Sequence, residues 1–213
     1  MKRSVIFWDV DTQHDFMDPD GKLYVKGAEL IKPKLEQLTK YAHARGIQIV
    51  ASSDDHELEH AEISATPDFR ETFPPHCMRG TKGAEKIPET ALVSPLVIEP
   101  EAILHEQLVR KLSSHEGDVL LRKHRFDVFS NPNTAAVIEA WDPTEIVVYG
   151  VTLDYCVRYA IDGMIDVGIP TIHLVLDATK PIVVSAVDAL VAGWKGQDVR
   201  IVTTDDVVCG RIV

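Results

Sequence analysis

The sequence predicts an α/β fold in which helices cover both faces of a mainly parallel, six-stranded sheet. Short apolar runs rich in β-branched residues recur along the chain and are typical of buried strands. Longer segments with one apolar face alternate with them, as the helical crossovers of a parallel sheet do. The 213 residues, 45% of them hydrophobic, are enough for one sizeable core. We therefore interpret residues 1–213 as one domain.

The six strands are predicted at the apolar runs of residues 4–8, 47–51, 118–121, 145–149, 171–176 and 199–203. Helices are predicted between them, at about residues 28–45, 101–114, 133–140, 157–165 and 181–194. Pro33 suits only the first turn of the first of these helices, and Gly46 is its stop signal. Prolines, histidines and glycines interrupt the pattern from residue 52 to about residue 100. A segment this long is expected to carry function.

Net charge, apolar runs and cysteine content indicate which binding partners and which cellular compartment to expect. The net charge of -11 disfavours nucleic acid and anionic membrane as partners. No apolar run reaches the length of a membrane span, and the first three residues (MKR) lead into a strand rather than into a signal peptide. Cys77, Cys156 and Cys209 are an odd number without CxxC spacing, which is typical of free thiols in a reducing compartment. We therefore expect a cytoplasmic protein.

Cys156 occupies a favourable place for a reactive thiol. It comes at the first turn of a predicted helix, just beyond the carboxyl end of the strand at residues 145–149. The positive end of the helix dipole favours a thiolate there, and backbone N–H groups of the same turn could hold an anion beside the sulfur. The alternative interpretation is a small buried residue that closes the turn.

Polar and reactive side chains follow four predicted strands in succession. Asp9 and Asp11 follow the strand that ends near residue 8, and Asp54 and His56 follow the strand that ends near residue 51. Lys123 follows the strand that ends near residue 121, and Cys156 follows the strand that ends near residue 149. The carboxyl ends of parallel strands lie at one edge of the sheet, which is where ligands bind. Four strands that each deliver such a group favour an active site over chance.

Three of these groups form a nucleophilic set suited to acyl transfer. Asp11 can take the proton of the Cys156 thiol if the carboxylate is partly desolvated and close. Lys123 would stabilise both the carboxylate and the thiolate. In this scheme Cys156 attacks a carbonyl, the acid form of Asp11 protonates the leaving amine, and water hydrolyses the thioester.

A second set has the residue types of a metal site. Asp54-x-His56 is a carboxylate–imidazole pair, and His76 lies in a Pro-Pro-His-Cys run. Two imidazoles and a carboxylate suit a divalent Zn, Fe or Mn ion. His60 would share a face with His56 if that piece were helical, and Cys77 is interpreted as an inert packed thiol. The alternative is that these histidines are exposed loop residues.

Three longer segments carry motifs. Residues 10–16 (VDTQHDF) fit D-x-Q-x-D-F, and residues 150–157 (GVTLDYCV) are close to G-V-A-T-D-Y-C-V. Residues 53–56 (SDDH) followed by residues 73–85 (FPPHCMRGTKGAE) are close to D-x-H and W-P-x-H-C…G-T-x-G-A-E. Together with Lys123 after the third strand, they resemble the cysteine hydrolases of the isochorismatase-like superfamily, and within it the nicotinamidase branch.

The resemblance implies a three-layer sandwich and a set of roles. Its catalytic residues would be Asp11, Lys123 and Cys156. Its metal ligands would be Asp54, His56 and His76, holding one ion that orients a pyridine-type ring nitrogen. The resemblance also implies a cis peptide between Val151 and Thr152, an oxyanion hole formed by the N–H groups of Thr152 and Cys156, and aromatic walls at Phe16, Phe73 and Tyr155.

The chain departs from the family pattern around the pocket. Thr152-Leu153 stands where the family usually has Ala-Thr, Asp55 where Trp is common, and Phe73 in place of Trp. The segment of residues 124–130 is shorter than in typical nicotinamidases. These differences leave the catalytic set intact.

The sequence thus predicts a metal-containing cysteine amidase, a homo-oligomer, that converts nicotinamide or a close heteroaromatic amide to the acid and ammonia. A hydrolase of another amide, ureido or carbamoyl substrate is the first alternative. A haloacid-dehalogenase-type phosphatase is the second, with Asp9 as nucleophile, Asp11 as acid/base, Lys123 as charge partner and magnesium at Asp205-Asp206. A non-catalytic protein that binds a small aromatic ligand is the third.

Overall fold

The structure is a computed structural model and describes residues 4–212. Its strands form one sheet and are β1 (Val5–Val10), β2 (Ile49–Asp54), β3 (Leu96–Ile98), β4 (Val119–Lys123), β5 (Glu145–Val151), β6 (Thr171–Lys180) and β7 (Val199–Val202). Their order is β3-β4-β2-β1-β5-β6-β7, and all neighbours are parallel. The predicted α/β fold with a parallel sheet is confirmed, with seven strands rather than six.

The additional strand is β3 at one edge of the sheet. It has three residues and pairs only with β4, with Leu96 opposite Val119. It lies inside the irregular segment that the sequence analysis left without secondary structure. Three residues are too few to show the alternation or the sustained apolar run by which a strand is recognised.

The helices are α1 (His14–Met17), α2 (Lys32–Ala44), α3 (His105–Ser113), α4 (Thr134–Trp141), α5 (Cys156–Asp166), α6 (Val187–Gly193) and α7 (Thr204–Val208). Three predicted starts were too early. The helix predicted from residue 181 begins at Val187, after the 3-10 helix Val184–Ala186. A short 3-10 helix, Ala28–Ile31, precedes α2, because Pro33 has no N–H for an α-helical bond and its ring would clash with the preceding turn. The helix predicted from residue 101 begins only at His105. Residues 101–104 are not helical, since the Asn133 side chain forms hydrogen bonds with the backbone of Glu99, Glu101 and Ile103.

Two apolar layers enclose the sheet. On one face, Ile6 and Trp8 of β1 belong to a buried cluster that includes residues of α3, α4 and α5. On the other face, Phe7 belongs to a cluster that includes Leu35 and Leu38 of α2. A fully buried side chain of this size stabilises the fold by roughly 1.5–3 kcal/mol. Successive residues of β1 thus contact opposite layers, which makes the fold a three-layer sandwich. β1 is its central strand, fourth in the order of seven.

The carboxyl ends of four central strands meet at one edge. β1 ends just before Asp11, β2 ends at Asp54, β4 ends at Lys123 and β5 ends at Val151. Gly150 lets β5 approach β1 closely, since its φ is 117° and a Cβ there would lie 2.1 Å from the carbonyl oxygen of Val10. Among residues 4–212 no helix is long and apolar enough to cross a membrane.

Candidate active site

Lys123 lies between the other two members of the predicted nucleophilic set. Its Nζ is 2.9 Å from Oδ2 of Asp11 and 3.9 Å from Sγ of Cys156, and it also donates to Oδ1 of Asp54. Ser52 donates to the other oxygen of Asp11 at 2.7 Å. Lys123 and Asp11 are fully buried, and Cys156 is 7% exposed. The structure therefore brings the three predicted residues together, with the ammonium in contact with both partners.

Burial and charge set the protonation of this group. Burial raises the pKa of Asp11, and the neighbouring Lys123 ammonium opposes that shift. Burial works to lower the pKa of Lys123, but Asp11 and Asp54 outweigh it and hold that pKa well above its usual value. Lys123 is thus a permanent cation, and Asp11 is a carboxylate of increased basicity.

The thiol differs from the expectation based on the helix dipole. Cys156 does begin α5, as predicted. Burial nevertheless raises its pKa well above the usual value, and Lys123 only partly opposes this effect. Removal from water thus outweighs the helix dipole and the single ammonium, each of which by itself favours the thiolate. A base must take the thiol proton when the sulfur attacks.

The turn before α5 presents free N–H groups beside the sulfur. The peptide between Val151 and Thr152 is cis, as the resemblance implied. The carbonyl of Thr152 accepts from the N–H groups of Tyr155 and Val157, at 3.2 and 3.0 Å. Among residues 4–212 no acceptor is found for the N–H groups of Thr152 and Cys156. Both N–H groups are therefore without a backbone acceptor, as the oxyanion hole implied by the resemblance requires.

Asp54 connects the nucleophile to a second cluster. One of its oxygens accepts from Lys123, and the other lies 3.8 Å from Nε2 of His56 and 3.6 Å from Nε2 of His76. Glu62 completes the cluster, with Oε1 3.8 Å from each of the same two nitrogens. The ligand atoms of these four buried residues all lie within 4.8 Å of one another.

This cluster fits a divalent metal ion. Four ligands with metal bonds of about 2.0–2.2 Å at tetrahedral angles are about 3.4 Å apart, close to the spacings seen here. Nδ1 of His76 pairs with the carbonyl of Pro74 at 2.8 Å, which leaves Nε2 as the free donor. Neither ring nitrogen of His56 has a hydrogen-bond partner in the described part of the chain. Two carboxylates and two imidazoles match the charge and donor preference of such an ion.

Glu62 was missed by the sequence analysis, and His60 does not join the cluster. Nδ1 of His60 accepts from the N–H of Glu57 at 3.0 Å, and its ring stacks on that of His124 with centroids 3.8 Å apart. Glu62 reaches the site because the backbone around it pairs with Phe73, whose N–H donates to its carbonyl at 2.7 Å. No sequence pattern distinguishes Glu62 from its exposed neighbour Glu59.

The N-terminal motif braces the same cluster. The side chain of Gln13 accepts from the N–H of Asp54 at 2.8 Å and donates to its carbonyl at 2.7 Å. Asp15 accepts from the N–H of Cys77, next to His76, at 2.7 Å. Both side chains are buried. These bonds fix the backbone of the two segments that carry Asp54 and His76. Cys77 itself is buried and burial raises its pKa well above normal, which agrees with an inert thiol.

A small cavity opens onto Cys156 and the cluster, and its walls are mainly aromatic. Phe16, Phe73 and Tyr155 all line it, where the resemblance placed them. Phe73 meets Tyr155 edge to face, with ring centroids 5.7 Å apart. Phe126 is a fourth aromatic wall that the sequence analysis missed. Its N–H donates to Oε2 of Glu62 at 2.7 Å, so this wall is tied to the cluster.

The residues of the phosphatase alternative do not form a site. Asp9 is fully buried, and its carboxylate is paired with Lys86 at 2.7 Å and accepts from Thr12 at 2.9 Å. Asp206 accepts from the Thr203 hydroxyl at 2.6 Å and pairs with Arg211 at 2.9 Å. These carboxylates have local partners instead of a shared cavity.

Comparison with known proteins identifies a domain and two relatives. The model of the isochorismatase domain matches residues 104–206. A nicotinamidase of Saccharomyces cerevisiae is 25% identical over 195 residues, which cover 81% of this chain and 86% of that protein. A nicotinamidase/pyrazinamidase of Mycobacterium tuberculosis is 38% identical over 80 residues, which cover 36% of this chain and 40% of that protein.

A solved structure agrees with this relationship. The pyrazinamidase of Pyrococcus horikoshii in complex with zinc has a TM-score of 0.71 at 24% identity, over 94% of this chain and 99% of that chain. At that identity the likeness shows a shared fold. Residues 104–206 thus match an isochorismatase domain, and the curated relatives to which the chain is similar are nicotinamidases.

Proposed function

We propose that the protein is a metal-dependent cysteine amidase that converts nicotinamide, or a close heteroaromatic amide, to the acid and ammonia. The observation that carries this proposal is the double role of Asp54. One of its oxygens contacts the lysine that bridges Asp11 and Cys156, and the other faces His56 and His76. A nucleophile and a candidate metal site therefore share one cavity and one carboxylate.

The first half of the reaction follows from the contacts of Cys156. Its sulfur attacks the carboxamide carbon, and Asp11 accepts the thiol proton in the same step because the resting thiol is neutral. The C=O electron pair moves to oxygen, and the N–H groups of Thr152 and Cys156 stabilise that oxyanion. Lys123 remains charged throughout and prevents Asp11 and the sulfur from becoming an uncompensated pair of anions.

The second half returns Asp11 to its starting state. The protonated Asp11 donates to the amide nitrogen, the C–N bond breaks, and ammonia leaves a thioester on Cys156. Asp11 then removes a proton from an attacking water, the C–S bond breaks, and Asp11 returns that proton to the departing sulfur, which leaves the acid and the free thiol. The buried position and raised pKa of Asp11 suit both proton transfers.

Asp54, His56, Glu62 and His76 would hold the metal ion. When bound, it supplies a Lewis acid that accepts the ring nitrogen of the substrate and fixes the ring's orientation. Phe16 packs on His76, with ring centroids 5.4 Å apart, and Phe73 and Tyr155 close two further sides of the cavity. These walls suit a flat, uncharged ring.

The proposal is tested by ammonia release from nicotinamide before and after removal of metal with a chelator. We expect release by the wild type, a large loss without metal, and recovery with Zn, Fe or Mn ions. Benzamide, which lacks the ring nitrogen, is the matched control substrate and should react far more slowly. Release from a carbamoyl or ureido compound but not from nicotinamide would instead support the first alternative substrate class.

Glu62→Gln should weaken metal binding by roughly 100-fold or more, because a neutral amide oxygen replaces a charged ligand. The measurement is the Kd for Zn²⁺ or Co²⁺ in competition with a chromophoric chelator. Glu59→Gln is the control, since Glu59 is an exposed carboxylate of the same segment and should leave the Kd unchanged. Equal affinities for the two variants would mean that Glu62 is not a ligand.

A further inference from the structure

Thr152 carries a polar group that the reaction described above does not use. Its side-chain hydroxyl, Oγ1, is buried and has no hydrogen-bond partner among the protein atoms of residues 4–212. The residue as a whole is 5% exposed. A hydroxyl that is left unpaired in the interior destabilises the folded protein. Such a group is an unusual feature of a folded protein and needs an explanation.

The position of this hydroxyl points to the reacting atoms. Thr152 lines the cavity that also contains Cys156 and the Asp54–His76 side of the cluster. Only the Cα and Cβ atoms separate Oγ1 from the Thr152 nitrogen, whose N–H has no backbone acceptor among residues 4–212. An oxygen atom that accepts from this N–H is therefore within reach of the hydroxyl as well.

The neighbouring polar groups do not compete for the hydroxyl. The Lys123 ammonium donates to Asp54 and Cys156 and forms an ion pair with Asp11 at 2.9 Å. The carbonyl of Thr152 itself accepts from Tyr155 and Val157. The hydroxyl hydrogen is thus free to point into the cavity, toward a substrate atom bonded to the sulfur.

We propose that the Thr152 hydroxyl is a third donor of the oxyanion hole, acting from the side chain alongside the two backbone N–H groups. This inference rests on the proposed amidase function. As the bond between Sγ and the carbonyl carbon forms, the C=O electron pair moves to oxygen and the hydroxyl donates a hydrogen bond to it. The hydroxyl proton is not transferred, so Thr152 begins and ends the cycle unchanged.

The test compares Thr152→Val, which keeps the shape and removes the hydroxyl, with Thr152→Ser, which keeps the hydroxyl. In the valine variant kcat for nicotinamide should fall about 100-fold, since removal of one oxyanion donor has an effect of this order. KM should change little, because the contact forms mainly in the transition state. Serine should recover most of the lost rate, and unchanged Tm values would show that both variants are folded.

A second measurement distinguishes a contact of the hydroxyl with the oxyanion from a contact with the amide nitrogen. Pyridine-3-carbaldehyde forms a tetrahedral adduct with a thiol but has no amide nitrogen, and its inhibition constant should rise in the valine variant by about the same factor as kcat falls. Equal kcat and equal inhibition in the valine variant and the wild type would overturn the proposal. A loss of kcat with unchanged aldehyde inhibition would also overturn it, since the hydroxyl would then contact the nitrogen.

Failure of the proposed substrate is distinguishable from failure of this inference. If the wild type releases no ammonia from nicotinamide, the protection of Cys156 from iodoacetamide by acetaldehyde is measured instead. Stronger protection in the wild type than in the valine variant would support the role of the hydroxyl independently of the substrate. Equal protection, or none in either protein, would overturn it.

Discussion

Ammonia release is expected to stop when Cys156 is replaced by alanine. In the proposed reaction the sulfur forms the covalent intermediate, so kcat should fall by roughly 10⁴-fold or more. The variant should still fold and bind metal, because Cys156 fills a small space and contributes no ligand to the cluster of Asp54, His56, Glu62 and His76. The measurement is ammonia release at saturating substrate with metal supplied.

Cys209→Ala is the matched control for this variant. Cys209 is an exposed free thiol at the end of α7, and its removal should leave the rate unchanged. Alkylation with iodoacetamide should inactivate this control as completely as it inactivates the wild type. Release that survives in Cys156→Ala would exclude the thioester mechanism, whatever the substrate.

Lys123→Met should destabilise the protein as well as inactivate it. The ammonium is fully buried between Asp11 and Asp54, which are also buried. Methionine has a similar length but leaves two carboxylates without their cation, and loss of one partner of a buried ion pair typically reduces stability by about 3–5 kcal/mol. For a chain of this length Tm should fall by roughly 6–20 °C.

Lys40→Met is the control for the loss of a lysine. Its Nζ pairs with Glu36 at 2.6 Å on the surface of α2, with the lysine side chain 72% exposed, so Tm should hardly change. Adding Asp11→Asn to Lys123→Met removes one of the two buried carboxylates that lack a cation, and it should recover part of the lost stability. A Tm for Lys123→Met equal to that of the wild type would mean that the lysine is not the compensating charge.

The sequence predicted those parts of the site that are carried by strand ends. Each of four site residues follows a strand that can be predicted from its apolar run, and these residues are Asp11, Asp54, Lys123 and Cys156. Parallel pairing brings the ends of such strands together independently of the loop conformations. The start of α3 was misplaced for a reason visible only in three dimensions. The amide of Asn133 holds residues before α3 in a non-helical path, and that contact joins distant segments.

Glu62 and Phe126 could not be predicted because their placement depends on irregular backbone. Glu62 lies in a loop without periodicity, and its carboxylate reaches the cluster only because the loop pairs with Phe73. His60, which has the better residue type for a ligand, is instead held by the N–H of Glu57. The extent to which burial raises the pKa of the Cys156 thiol was not visible in the sequence either, since burial is a property of the whole fold and the helix dipole is a local one.

The central position of β1 has a consequence for biosynthesis. β1 pairs with β2 on one side and with β5 on the other, and β5 begins only at Glu145. At about 5–20 residues per second, a ribosome needs roughly ten seconds or more after completing β1 to make β5. During that time one edge of an apolar strand has no partner. Nascent chains should therefore depend on chaperones most strongly before β5 emerges, and the cavity can form only after Cys156 has left the ribosome.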